Sequence, residues 1–352
     1  MINGHGDDRN CYQNPIRADF SSNVWFGGTD SELIGHLQEN MQMIGHYPEP
    51  DAAVLCRKIA EKHQVKKEQV LAFNGSVEGF YTIALAFRAS VSAILFPAFA
   101  EYEDACRMHS HQLDFFRGND LLKTLENNPG LIWFGNPNNP DGSVFSFQKI
   151  SRAIEAHPET IFVIDEAYGD FYPEFESAVS LTKTVQNLVV VRSLTKCCAI
   201  PGLRLGYVIA SEILATRLRN FQQPWSVNAL AQEAGVFLLN TKTSLDVKLI
   251  SQLSIDLQHE INQLGTFSVV PSKAPFFLIE ITHGTAATLK QFLLDEFGIL
   301  IRDASNFRGL NDRYFRICVR DEKDNCLLLD ALKCYVEKIN KEKTEVAQLT
   351  HH

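Results

Sequence analysis

Six short apolar runs recur along the middle of the chain: AILF (Ala93–Phe96), LDFF (Leu113–Phe116), LIWF (Leu131–Phe134), IFVID (Ile161–Asp165), LVVV (Leu188–Val191) and GYVIA (Gly206–Ala210). Runs of this length read as buried strands rather than helices. Between them lie stretches with helical periodicity, such as Phe147 to Ala156. Strand and helix alternating at this spacing require a mainly parallel or mixed sheet covered on both faces. Upstream, Ala52 to Val65 carries Leu55 and Ile59 on one helical face, with Lys58, Glu61 and Lys62 facing outward. Beyond Trp225 the pattern changes. Helical periodicity from Val227 to Leu264 precedes FFLIEI (Phe276–Ile281), GILIR (Gly298–Arg302) and YFRICV (Tyr314–Val319), and a last helix is expected over Asn325 to Lys338, with Glu345 to His352 frayed. The chain thus divides into a large α/β domain over 46–225 and a second unit in which an N-terminal arm over 1–45 goes with a small α+β domain over 226–352.

Ligands of open α/β sheets bind beyond the carboxyl ends of the strands. Polar residues gather there. LIWF is followed by Gly135-Asn136-Pro137-Asn138-Asn139-Pro140-Asp141-Gly142, IFVI by Asp165-Glu166-Ala167-Tyr168, and LVVV by Arg192-Ser193-Leu194-Thr195-Lys196. Phe73-Asn74-Gly75-Ser76-Val77-Glu78 leads into another helix. This set suits pyridoxal phosphate, which needs a lysine for a Schiff base and an acid that keeps its ring nitrogen protonated. Lys196 and Asp165 meet those needs. Gly75, Ser76 and Val77 at a helix start offer amides to a phosphate. Ser193 adds a hydroxyl and Arg204 a guanidinium fork. In such a cationic, partly desolvated setting the lysine amine is expected to have a lowered pKa.

Three motifs carry a resemblance to a known family: N-P-N-N-P-x-G (Asn136–Gly142), D-E-A-Y (Asp165–Tyr168) and S-x-T-K-x-x-x-x-P-G-L-R-x-G-Y (Ser193–Tyr207). In order and spacing the sequence resembles the fold-type I pyridoxal-phosphate aminotransferases of class I/II over nearly its whole length. The resemblance implies a mixed, mainly parallel seven-stranded sheet flanked by helices, plus a small α+β domain. It makes Lys196 the Schiff-base lysine and Asp165 the partner of the ring nitrogen. Asn139 and Tyr168 become donors to the ring hydroxyl oxygen, and Phe99 the stacking aromatic. Tyr47 resembles a tyrosine that reaches the phosphate in the neighbouring subunit, which implies a homodimer with shared sites.

Two branches of the family compete. His5-Gly6, Asp19 to Asn23, Phe99-Ala100-Glu101-Tyr102, Arg192 to Lys196, Pro224 to Ala231 and the stretch from Ile299 to Arg316 are more similar to the threonine phosphate decarboxylases of cobalamin synthesis than to histidinol-phosphate aminotransferases. That likeness makes His5, Asn23, Arg302 and Arg316 candidate contacts for a small phosphorylated amino acid. There are departures. The expected H-G-G-N start is His5-Gly6-Asp7-Asp8, whose carboxylates would repel a substrate phosphate if they faced the site; Val24-Trp25 stands where Asn-Pro is expected after Asn23; and Asp141 replaces a threonine. Tyr168 is more typical of the aminotransferases.

The remaining features narrow the alternatives. A net charge of -9 argues against a nucleic-acid or anionic-membrane surface. The start is polar, without a signal-peptide core, and the apolar run from Ala89 to Ala100 is too short to span a bilayer. Eight irregularly spaced cysteines without a C-x-x-C pair point to free thiols in a reducing cytoplasm. Cys197 and Cys198 read as small packing residues, His109 and His111 as solvated, and Arg313 as a surface ion-pair partner. Neither G-x-G-x-x-G nor a P-loop motif is present, which removes the dinucleotide and P-loop enzymes. A catalytically silent cofactor-binding protein is weighed against the retained lysine and the two C-terminal arginines.

Overall fold

The computed structural model describes residues 9–13, 15–241 and 245–349. In chain order the strands are β1 (Ala18–Asp19), β2 (Val70–Asn74), β3 (Val91–Leu95), β4 (Gln112–Phe116), β5 (Leu131–Gly135), β6 (Ile161–Asp165), β7 (Leu188–Ser193), β8 (Leu205–Ala210), β9 (Phe267–Val269), β10 (Phe276–Ile281), β11 (Ile299–Leu300), β12 (Arg302–Asp303) and β13 (Tyr314–Cys318). Two compact units form. One comprises Met1–Asn23, Pro140–Ser143 and Val247–His352, the other Val24–Asn139 and Val144–Asp246. The sequence reading set its divisions at 46 and 225.

The larger unit is built on a seven-stranded sheet of order β2-β8-β7-β6-β5-β3-β4. β4, β3, β5, β6 and β7 run parallel, while β8 is antiparallel to both β7 and β2. Every residue of β5, β7 and β8 is buried, as near-continuous Val, Ile and Leu runs demand when helices cover both faces. The two faces pack separate cores. One includes Ile132, Phe134, Phe162, Ile164, Leu188 and Val190; the other includes Leu131, Trp133, Val163, Val189 and Val191. Alternation along each strand thus splits one apolar run between two cores.

The helices start where side chains accept from free amides. Ser146 caps Phe147–Ala156, Ser211 caps Glu212–Arg219 and Asn228 caps Ala229–Asn240. The single helical stretch read from Val227 to Leu264 is two helices, Ala229–Asn240 and Val247–Gln263. In the smaller unit, β12-β13-β10-β9 form an antiparallel sheet and β1 pairs with β11. The GILIR run divides into β11 and β12. The last helix is longer than expected, Glu322–Leu349, so Glu345 to Leu349 continue it; residues 350–352 lie outside the described residues.

His111 is a correction to the sequence reading. It is buried, with Nε2 on the Ala84 carbonyl at 2.9 Å and Nδ1 on Ser92 Oγ at 2.8 Å. Ser92 Oγ also accepts from Trp133 Nε1. The residue serves a polar network in the core; sequence spacing gave no sign of that. Arg313, by contrast, is the ion-pair partner of Glu280.

The ends of β6 and β7 are tied by a buried arginine. Arg192 places Nη1 2.9 Å from Glu166 Oε2 and Nη2 2.6 Å from Asp170 Oδ1. Glu166 also accepts from the Ser177 hydroxyl and the Ala178 amide. Removing one partner of such a buried pair leaves an uncompensated charge, at a cost of about 3–5 kcal/mol. Arg192→Met is therefore expected to lower the urea midpoint substantially at pH 7. An unchanged midpoint would show that the pair contributes nothing.

Candidate active site

The sheet order changes direction between β3 and β5, since β4 lies outside β3 and β6 outside β5. Beyond the carboxyl ends of strands at such a switch point lies the natural crevice for a ligand. The loops after β3 and β5 meet there: Asn138 Nδ2 donates to the Pro97 carbonyl at 2.9 Å. Asn136 steadies the second loop, accepting the Phe145 amide at 2.8 Å. The Asn136–Pro137 peptide is cis.

Asp165, the last residue of β6, is buried beside this crevice. Tyr102 donates its hydroxyl to Oδ2 at 2.6 Å and the Ala167 amide donates to Oδ1 at 2.9 Å. Burial pushes the carboxyl up from 3.8 to about 6, while the two donors and the Lys196 charge pull it down. Burial and the charge of Asp165 keep the Tyr102 phenol protonated, so it remains a donor. Its ring is packed edge-on against Phe80 and Phe99 and stacked with Trp133. Sequence reasoning names Tyr102 only within a decarboxylase-like stretch and gives it no role. A signal existed: it lies three residues after Phe99, on the helix Ala100–Met108, and so shares its face.

Lys196 follows β7 in the turn from Leu194 to Ala199. Its carbonyl accepts the Trp25 amide at 3.0 Å and the Ala199 amide at 3.4 Å, and the Thr29 hydroxyl donates to the Ala199 carbonyl at 2.6 Å. The segment around Trp25 and Thr29 thus fixes the turn from outside. Ser193 Oγ lies 2.7 Å from Thr195 Oγ1.

A third cluster forms where β8 passes the start of the helix Ser76–Ala86. Ser193 is paired with Gly206, and Gly206 with Phe73. A Cβ on Gly206 would collide with the Ser76 amide; one on Gly75 would come within 2.5 Å of Arg204 Nη2. Gly75 also has φ of 80°, which side-chain-bearing residues rarely adopt. Backbone amides and the Arg204 guanidinium therefore crowd one cradle at a helix N-terminus, with Ser193 on the strand paired beside it, a chemistry suited to a phosphate.

The structure thus brings Gly75, Ser76, Val77, Phe99, Asn139, Asp165, Tyr168, Ser193, Lys196 and Arg204 to the strand-end rim of the larger unit. Tyr47 is 87% exposed, with its ring 5.7 Å from that of Trp225. Asn23, Arg302 and Arg316 belong to the smaller unit. There, Arg302 and Arg316 are direct cross-strand partners in the β12–β13 pair, and both are buried. Arg302 Nη2 donates to Asn306 Oδ1 at 2.8 Å and Arg316 Nη2 to the Ser21 carbonyl at 2.9 Å. Like charges facing each other across a ladder disfavour folding unless anions are near. His5 lies outside the described residues.

The aminotransferase class I and II pattern matches residues 18–332. The chain belongs to that family. It is similar to the crystal structure of the L-threonine-O-3-phosphate decarboxylase from Porphyromonas gingivalis, with 41% identity, a TM-score of 0.88, and 91% of this chain and 99% of that one covered. A putative threonine-phosphate decarboxylase from Caldanaerobacter subterraneus subsp. tengcongensis is 33% identical over 86% of this chain and 87% of its own length. A histidinol-phosphate aminotransferase from Thermoanaerobacter pseudethanolicus is 31% identical over 91% of this chain and 93% of its own. The chain is an enzyme of the pyridoxal-phosphate-dependent decarboxylase and aminotransferase group, and its cofactor is pyridoxal 5'-phosphate. The described residues fit that group: a glycine-bounded cradle suits its phosphate, and a buried carboxyl suits a protonated ring nitrogen. Among the described residues no helix is long and apolar enough to cross a membrane.

The raised Asp165 pKa has a stability consequence for the cofactor-free protein. Below about pH 4 folded and unfolded chains both hold the proton. Between about pH 4 and pH 6 the unfolded chain loses it first, so the folded state binds more protons and stability falls as pH rises. A shift of this size corresponds to about 3 kcal/mol. Asp165→Asn should therefore gain on the wild type by up to that amount across this window, read as urea midpoints at each pH. A difference that does not vary with pH would contradict the assignment.

Proposed function

We propose that the enzyme is an L-threonine O-phosphate decarboxylase, a homodimer acting in the cytoplasm in cobalamin biosynthesis. The observation that carries this reading is its closer likeness to the solved Porphyromonas gingivalis decarboxylase than to the aminotransferase relative. The facing arginines support it, because a phosphorylated amino acid brings two acidic groups and Arg302 and Arg316 offer two planar forks. The exposed Tyr47, Trp225, Ile44 and Met41 support a dimer face.

In this reading the bound cofactor supplies an electron sink conjugated to the substrate's Cα. Lys196 would hold it through its side-chain amine. Asp165, steadied by Tyr102 and the Ala167 amide, stays ionised against the protonated ring nitrogen. Gly75, Ser76, Val77, Ser193 and Arg204 grip the cofactor phosphate, with Tyr47 of a second copy completing the grip. Asn139 and Tyr168 would donate to its ring oxygen, and Phe99 would lie against the ring. Arg302, Arg316, Asn23 and His5 take the substrate's phosphate and carboxylate. The two arginines would fix the substrate's carboxylate and so select which bond at Cα is lost, using binding energy from the remote phosphate. Lys196 would return a proton to Cα.

The holoenzyme incubated with L-threonine O-phosphate should release CO2 without accumulating aminated cofactor. Lys196→Ala should lower that rate by roughly 10³-fold or more. Aminated cofactor formed with histidinol phosphate, and discharged by 2-oxoglutarate, would overturn the decarboxylase reading in favour of an aminotransferase.

A further inference from the structure

Directly after the cofactor lysine come two cysteines whose side chains face each other. Cys197 is buried and Cys198 half-buried, with Sγ atoms 3.7 Å apart. Cys197 Sγ also lies 3.7 Å from Asp170 Oδ2, and the other oxygen of that carboxylate holds Arg192. The pair is therefore wired to the ion pairs that join β6 and β7. It sits inside the turn that presents Lys196, since the Cys198 amide donates to the Leu194 carbonyl.

Two chemistries can be set aside. Neighbouring residues have Cα atoms about 3.8 Å apart, whereas disulfides ordinarily span about 4.4–6.8 Å, so an S–S bond here would be strained. A structural zinc site needs four ligands, and among the described residues no group of three or more His, Cys, Asp or Glu could hold a metal. A one-atom bridge between the sulfurs fits far better. Two metal–sulfur bonds of about 2.3 Å at a tetrahedral angle span roughly 3.8 Å, close to the separation seen. A trivalent centre that bonds two sulfurs and keeps a hydroxyl needs no further protein ligand.

We propose that Cys197 and Cys198 form a binding site for a trivalent thiophilic metalloid of the arsenite class, and that its occupation disables the adjoining Lys196 turn. The step is a condensation without electron transfer. Two S–As bonds form, two As–OH bonds break, and each thiol proton leaves with a hydroxide as water. Cys198 reacts first, because its thiol is the less buried of the two and Cys197 is held by Asp170. Cys197 then gives up Asp170 to close the bridge, and the turn loses that anchor.

The test uses the holoenzyme and sodium arsenite. A Cys11→Ser/Cys326→Ser/Cys334→Ser background removes the exposed thiols. In that background arsenite should bind at one equivalent per chain, lower turnover at least about 10-fold and change the cofactor's absorbance band, all reversed by a dithiol and not by a monothiol at equal thiol concentration. Adding Cys197→Ser or Cys198→Ser should keep basal turnover and weaken arsenite binding by roughly 100-fold, since either change removes the intramolecular second bond. Alkylation mapping on the wild-type chain gives a readout independent of those variants and of which reaction the enzyme runs: both cysteines should be protected together at saturating arsenite. Alkylation of both at saturation, undiminished binding by a single-serine variant, or stoichiometric binding without effect on turnover would overturn the proposal.

Discussion

The fold of the larger unit turns on a carboxylate kept out of water. Asp165 ends the central strand β6, and a buried carboxyl is tolerated only with donors or opposite charge around it. Tyr102 and the Ala167 amide provide the donors, and Lys196 supplies charge. They do not fully offset burial, so the carboxyl stays above its ordinary range. A cationic partner at this spot would relieve the burial cost, and in the proposed function the protonated ring nitrogen of the cofactor is that partner, the relation expected where function overrides stability.

Around that carboxyl the supporting structure is local and stiff. Tyr102 is held by three aromatic rings and the Lys196 turn by Trp25 and Thr29. Arg192 fastens Glu166 and Asp170 behind them. Groups that act on a cofactor at fixed geometry gain from packing of this kind. The thiol pair proposed as a metalloid site borrows the same framework: Asp170 serves both Arg192 and Cys197.

Much of this was legible in the sequence. The short apolar runs marked six of the seven strands of the large sheet within a few residues, because buried parallel strands leave continuous apolar signatures. The positions of Lys196, Asp165, Ser193, Arg204 and Gly75 beside strand or helix ends were readable, because polar residues in an apolar context are conspicuous there. What stayed hidden was set by long-range packing. Tyr102 looks like an ordinary helical aromatic until β6 is placed beside it. His111 looks solvated until Ser92 and the Ala84 carbonyl close on it. The pairing of Arg302 with Arg316 depends on the register of two strands, which composition does not encode.

The central claim is that Lys196, and no other lysine, carries the cofactor. Borohydride reduction of the holoenzyme fixes the cofactor on its lysine, and peptide mapping by mass spectrometry then locates it. The account predicts a single pyridoxyl-phosphate label at Lys196, in the peptide that also holds Cys197 and Cys198. A label on another lysine, or none after reduction of fully loaded enzyme, would contradict it.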